Sequence, residues 1–214
     1  MISTSGYQKL VNSIDGKNLW WTSDYDAELP IKVRQFGPGS EPPVTLSEVF
    51  RSTAVKQGDK PAFYIERGGK VLSWTWAQYL KEVDAFAKSM HAVGVTERKA
   101  VNIMGHNSPE WVISFMGGIT ANCVVSGVYP TNNAEACLYQ ADHSEAELIV
   151  VDSVEQLKKY EKNLHKLPNI KAIVVYTLDK LPAELKDKRF FAWKDFLALG
   201  KDIKNEVLTE KIKR

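Results

Sequence analysis

The chain has 214 residues and a mass of 24.1 kDa, with 44% hydrophobic residues, enough to bury a core as one domain or a large part of one. Its 28 basic and 26 acidic side chains leave a net charge of +2, which excludes a nucleic-acid footprint spread over the whole surface. The opening MISTSGYQKL has no apolar core of signal-peptide length, and Cys123 and Cys137 lack the spacing of a zinc site or redox pair. A reducing, cytoplasmic setting is expected.

Residues 1–43 read as an irregular N-terminal arm, with 36–43 (FGPGSEPP) the clearest loop and Trp20 and Trp21 expected to anchor it. Thr45 and Glu48 then form a capping box opening a helix in which Leu46, Val49 and Phe50 share a face. Residues 62–66 and 71–76 flank Gly68-Gly69 and read as a hairpin. Thr75 and Gln78 cap the next helix, whose inward stripe of Leu80, Val83, Phe86, Ala87 and Met90 ends near Gly94. Residues 101–104 form a strand, and Ser108 caps a helix with Pro109 at its first position, where the missing N–H costs nothing. A strand at 124–128, a turn at 129–133 and another helix follow.

No charge interrupts residues 111–134, a length that would span a bilayer, which takes roughly 20 residues. Gly117, Gly118, Asn122, Ser126, Gly127 and Pro130 lie within it, and its period changes partway, which favours a helix followed by a buried strand. Beyond it, residues 148–151 read as a strand, Ser153 to Gln156 cap a Lys-rich helix reaching Leu164, and 171–176 read as a strand. Two short helices at 193–199 and 206–213 complete the pattern. This succession predicts an α/β fold of alternating strands and helices, with a largely parallel sheet covered on both faces.

Groups able to carry chemistry are sparse. His91, His106, His143 and His165 include no i, i+4 pair for a metal. His106 sits at the C-terminal end of a strand, where open α/β sheets bind ligands, yet with Asn107 it is equally suited to ending the strand, and that reading is preferred. Asp142 and Glu145 bracket His143 as the mixed charges of a helix end. Gly68-Gly69 belongs to the hairpin, and Gly117-Gly118 is expected to let its helix approach the sheet; neither is a phosphate cradle. No phosphate-loop, dinucleotide or G-x-S-x-G pattern occurs. Lys158, Lys159, Lys162 and Lys166 alternate with Glu155 and Glu161 and read as a solvated face rather than a surface for lipid or coenzyme phosphates. Cys123 reads as a small buried hydrophobe and Trp111 as packing on the sheet.

Four segments carry a resemblance: Leu72 through Leu80 (LSWTWAQYL), Asn107-Ser108-Pro109-Glu110-Trp111, Phe115 through Pro130, and Gly127-Val128-Tyr129-Pro130-Thr131 followed by Glu135-Ala136-Cys137. From about Asn18 to the C-terminus the chain resembles the start of the acyl-CoA synthetases of the adenylate-forming superfamily, most closely the bubblegum-type long-chain acyl-CoA synthetases. The resemblance implies that residues 44–214 are an incomplete N-terminal AMP-binding-type α/β domain, part of the large domain of such an enzyme. It implies a long-chain fatty acid as substrate, ATP, Mg²⁺ and coenzyme A as cofactors, an acyl-adenylate and then a thioester, and a peripheral position at an intracellular membrane.

In the family the phosphate loop, the adenine and ribose motifs and the catalytic lysine would follow the point matching Arg214. No catalytic, cofactor-binding or metal residue is therefore assigned, no cofactor is expected for the isolated chain, and its natural partner is the missing C-terminal portion. Pro130 and Asn132-Asn133 depart from the small hydroxyl residues more usual in relatives. The alternative is a non-catalytic α/β binding or docking module derived from such an enzyme, using an apolar sheet edge exposed after Tyr176.

Overall fold

The computed structural model describes residues 23, 29 and 31–212, so Trp20 and Trp21 lie outside the described residues. Its contacts separate Met1–Thr45 from Leu46–Arg214. In the first unit, residues 31–45 form no helix or strand, and a turn closed by Arg34 N to Gly39 O (2.9 Å) occupies the predicted loop.

The second unit begins with α1 (Leu46–Gln57), the hairpin β1 (Pro61–Arg67) and β2 (Lys70–Thr75), and α2 (Trp76–Ala92). It continues through β3 (Ala100–Met104), α3 (Pro109–Thr120), β4 (Val124–Val128), α4 (Ala134–His143), β5 (Ala146–Val151) and α5 (Val154–Glu161). A 3₁₀ turn (Leu164–Lys166), β6 (Ala172–Val175), β7 (Phe190–Ala192), α6 (Trp193–Ala198) and α7 (Asn205–Ile212) complete it. The hairpin is antiparallel and stands apart as its own two-stranded sheet. Five strands form a parallel sheet in the order β4-β3-β5-β6-β7.

Every residue of β3, β5 and β6 is buried. Because side chains alternate along a strand, each of these strands feeds two cores. Val101, Ile103, Leu148, Val150, Ala172 and Val174 join Phe86, Met90, Ile113 and Phe196 on one face. Ala100, Met104, Ile149, Val151, Ile173 and Val175 meet Cys137, Leu157 and Tyr160 on the other. The two polar side chains in this layer are satisfied: Asn102 donates to Ser144 Oγ (3.1 Å), and Glu147 accepts from the Thr96 amide (2.7 Å).

Residues 111–134 divide into helix, strand and turn, and among the described residues no helix is long and apolar enough to cross a membrane. The predicted caps are present on α2, where Thr75 and Gln78 bond reciprocally, and on α3, where Ser108 accepts from Trp111 N at 3.1 Å.

Four expectations need correction. Helix α1 buries Ser47, Phe50 and Ala54, leaving Leu46 and Val49 exposed, because Phe50 turns the helix toward the Tyr79 ring 4.7 Å away. The Lys-rich helix stops at Glu161, and Leu164 falls in the 3₁₀ turn. A three-residue strand, β7, pairs with β6, too short to leave a period in the sequence. The edge foreseen after Tyr176 is thus covered, and the outer strands among those described are β4 and β7.

Gly117-Gly118 serves two surfaces rather than the sheet alone. A Cβ on Gly117 would lie 2.5 Å from Phe86 Cδ1 on α2, and one on Gly118 would lie 2.6 Å from Val125 Cγ2 on β4. Helix propensity favours Gly117→Ala by about 1 kcal/mol. The collision with a fully buried ring reverses the sign. Gly117→Ala is expected to destabilise the chain by about 1–3 kcal/mol in urea unfolding, and a gain in stability would contradict this packing.

Burial also sets the response to alkali. It pushes the Tyr79 and Tyr176 phenols up to about 12 and the Cys123 thiol to about 11. The folded chain therefore keeps protons that the unfolded chain releases above about pH 9–10. Stability is complete below that range and falls as pH rises toward 12. Thermal melts from pH 8 to 11 should show a declining Tm, and a flat or rising profile would contradict these burials.

Candidate functional site at the carboxyl end of the sheet

From β3 the chain winds outward to β4, then returns past β3 to β5 and continues to β6. Winding reverses between β3 and β5, and in open α/β sheets the crevice at the carboxyl ends of such strands is where ligands bind. Gly105, His106 and Asn107 follow β3, Asp152 follows β5, and Tyr176 and Thr177 follow β6.

Asp152 organises this end. Its Oδ2 accepts from the His106 amide (3.3 Å) and lies 3.2 Å from His106 Nδ1, while its own amide donates to Met104 O (3.0 Å). Thr177 Oγ1 donates to the Asp152 carbonyl, and Tyr176 Oη donates to the His106 carbonyl (3.0 Å). Burial holds the Tyr176 phenol well above neutral pH, so it remains a donor. A Cβ at Gly105 would collide with the Tyr176 hydroxyl and stand 2.8 Å from Asp152 Cβ. The His106 backbone thus ends the strand, while its ring, 88% exposed, stands over Asp152.

Beside this group, Arg67 at the end of β1 forks onto Glu110 with bonds of 2.7 and 2.6 Å. The Glu110 carboxylate, only 6% exposed, sits in the first turn of α3, where the helix dipole favours an anion. Its hydrogen bonds raise the Arg67 guanidinium above its ordinary value.

Between the ends of β3 and β4 and the start of α3 lies a cleft of about 330 Å³, lined by Ile103, Asn107, Trp111, Gly127, Tyr129 and Pro130 among others. No lining side chain is charged. The Trp111 ring stacks on Phe115 (5.8 Å, 13°) and forms one wall. The turn at 129–133 forms the other, and it is braced from below. Lys159 Nζ donates to the Pro130 and Asn132 carbonyls at 2.7 Å each, Asn132 Nδ2 donates to Gln140 Oε1 (3.0 Å), and Asn133 caps α4. Pro130 and Asn132-Asn133, unusual for the resembled family, thereby have local partners.

Lys159 is consequently not part of a solvated face as the sequence suggested. Packing of α5 against α4 turns its stem under the turn, while Lys158, Lys162 and Lys166 stay exposed. A larger groove of about 480 Å³ lies outside α2, near Lys81, Lys88 and Lys201. Its charges are partly engaged, with Arg51 on Asp84 and Lys88 on Asn205, and it lies away from the strand ends.

His143 stacks on Tyr139 (5.5 Å, 6°) at the end of α4, and Glu145 pairs with Lys99 rather than with His143. Among the described residues no three His, Cys, Asp or Glu side chains are placed to hold a metal. Cys123 lies half-buried beyond the end of α3. Asp152 and the Arg67–Glu110 pair escaped sequence reading, and Lys159 was assigned to a solvated face it does not belong to. The one available signal was an acidic residue directly after the apolar run of β5. Lys159→Met is expected to cost about 1–3 kcal/mol and to speed hydrogen exchange at the Asn132 amide, since both carbonyls lose a charged donor. Unchanged exchange there would refute the brace.

Solved structures share this architecture. The adenylation domain of a carboxylate reductase from Mycobacterium chelonae superposes with a TM-score of 0.64 at 16% identity, covering 76% of this chain and 30% of that one. Acetoacetyl-CoA synthetase from Streptomyces lividans gives 0.60 at 19%, covering 71% and 24%. The chain shares the fold of these adenylate-forming enzyme domains.

The family model for AMP-binding enzymes matches residues 50–207, and the chain belongs to that family. It is 36% identical over 192 residues to the long-chain-fatty-acid–CoA ligase ACSBG2 of Xenopus laevis, covering 89% of this chain and 25% of that protein. The human ligases ACSBG2 and ACSBG1 are 33% and 32% identical across 90% and 88% of the chain. These are bubblegum-type long-chain acyl-CoA synthetases, and the chain spans about a quarter of the length of the curated relatives it matches.

Proposed function

We propose that this chain is the N-terminal portion of a long-chain fatty-acid–CoA ligase, which forms an acyl-adenylate from a fatty acid and ATP and then a thioester with coenzyme A. The observation that supports it most is identity of about a third to ligases of that name across nearly the whole chain. In this reading residues 44–214 are an incomplete AMP-binding-type domain, working in the cytoplasm at or near an intracellular membrane surface.

The residues in hand do not fit a nucleotide triphosphate. Beside the carboxyl end of the sheet the Arg67 guanidinium is taken up by Glu110, and Asp152 faces His106. Arg67 is therefore not a free counter-charge for phosphate. Binding of ATP, Mg²⁺ and coenzyme A is therefore assigned to sequence outside these 214 residues, and the partner of this portion is the rest of the same enzyme.

The 214-residue chain, purified and given palmitate, ATP, Mg²⁺ and coenzyme A, is expected to form no palmitoyl-CoA. Thioester formation by the isolated chain would refute its inactivity. An immunoblot of native extract with an antibody to residues 1–43 is expected to show a band much larger than 24.1 kDa. A single band at 24.1 kDa, with no thioester formed, would favour the non-catalytic docking module instead.

A further inference from the structure

We propose that the groove along the outer side of α2 binds a phosphate group carried by a small amphiphile. Lys81, Lys88 and Lys201 hold the phosphate, and the apolar part lies toward Trp74. The inference does not rest on the ligase reading. Helix α2 turns Val83, Phe86, Ala87 and Met90 into the core, so Lys81, Asp84 and Lys88 fall on its opposite side. The segment after α6 packs there, and Gly200 permits the approach: a Cβ on it would lie 2.7 Å from both Lys88 Cβ and the Ser89 amide nitrogen. Its amide donates to Ser89 Oγ at 3.0 Å. Between the two segments lies the groove of about 480 Å³, a volume typical of ligand pockets.

The charges around it do not cancel. Three ammonium groups line it, and among the described residues the one carboxylate in the lining, Asp84, is already engaged by Arg51. Asp202 and Glu206, although near in sequence, do not line it. Lys88 donates to the Asn205 side-chain carbonyl (2.6 Å), a neutral partner that orients the ammonium without neutralising it. Lys81 and Lys201 are exposed and form no ion pair among the described residues. Lys81 and Lys88 stand two helical turns apart, about 10 Å along the axis, and their flexible stems let both ammoniums close on one anion with Lys201. A carboxylate would leave most of that charge unmatched. A phosphate monoester carries close to two charges on three acceptor oxygens and can be shared among three lysines.

The rest of the lining calls for an apolar part. Ala77, Leu80, Ala85 and Leu197 line the groove between the lysines. A second hollow of about 390 Å³ adjoins it, sharing Lys81, Ala85 and Leu197 and reaching Trp74 and Gln78. The Glu82 carboxylate in that hollow accepts from the Trp74 indole N–H at 2.9 Å. Free phosphate would fill the cationic end and leave this apolar surface wet, whereas an attached hydrocarbon covers it.

Titration calorimetry of the 214-residue chain at low ionic strength, with octyl phosphate and inorganic phosphate as probes, tests the site. Octyl phosphate is expected to bind roughly tenfold or more tightly than inorganic phosphate. Lys81→Gln combined with Lys201→Gln should weaken octyl phosphate by roughly tenfold or more, with Tm unchanged because neither ammonium is paired. Lys158→Gln combined with Lys162→Gln removes the same charge from α5 and should bind like the parent. Sedimentation with vesicles of equimolar phosphatidylcholine and phosphatidate then separates the sources of the phosphate. Retention that depends on Lys81 and Lys201 assigns it to a lipid headgroup, and no retention, with octyl phosphate bound, assigns it to a soluble ligand; both keep the site. Equal weakening in the two double variants, no binding of octyl phosphate, or inorganic phosphate binding as tightly would overturn it. Binding of polyglutamate in place of octyl phosphate would also overturn it, in favour of a surface for acidic peptides.

Discussion

Burial of β3, β5 and β6 on both faces is the constraint from which the rest of the architecture follows. A strand with water on neither side must hand alternate residues to two separate cores, and each core needs helices to close it. Parallel neighbours cannot be joined by tight turns, so α3, α4 and α5, which cover the sheet, also serve as its connections from β3 to β6. Placing β4 and β5 on opposite sides of β3 then opens a crevice at the carboxyl ends, with no residue there needing to specify it. The site is a consequence of winding before it is a consequence of chemistry.

Close approach is the second requirement. α3 lies between α2 and the edge of the sheet, and adjacent glycines bring it near both: Gly117 receives the Phe86 ring and Gly118 the Val125 methyl. The same device recurs at the strand end, where Gly105 makes room for the Tyr176 hydroxyl and the Asp152 side chain. The first two crossings seat the far end of α3 and the third packs the end of β3 just before that helix begins, which gives the cleft a fixed wall. Interiors packed to crystal density transmit such constraints over several residues.

Several polar groups drawn into these layers are paired across the fold. Asn102 with Ser144, Glu147 with Thr96, Glu110 with Arg67 and Asp152 with His106 each join segments far apart in the chain. A buried pair adds modest net stability, yet removing one member leaves the other desolvated and unmatched. Such pairs penalise alternative packings of helix and strand. The Arg67–Glu110 fork in particular ties the separate hairpin to the first turn of α3, beside the candidate site.

Much of this was legible in the sequence. The hairpin at Gly68-Gly69, the caps at Thr75 and Ser108, the strands at 101–104 and 124–128 and the parallel α/β class follow from local rules: glycines at positive φ, hydroxyls that accept helix amides, apolar runs of strand length. The family was legible too, because its motifs at 72–80, 107–111 and 127–137 are contiguous. The face of α1, the strand β7, the role of Lys159 and the partnership of Asp152 with His106 were not. Each depends on which elements become neighbours, and in the last case the pair is 46 residues apart in sequence. The sequence by itself determined most of the elements, the class and the family, since those are properties of short stretches of chain. Strand order, the cleft and the pairing of its charges were decided only when packing brought distant segments together, because burial and electrostatics act through space rather than along the chain.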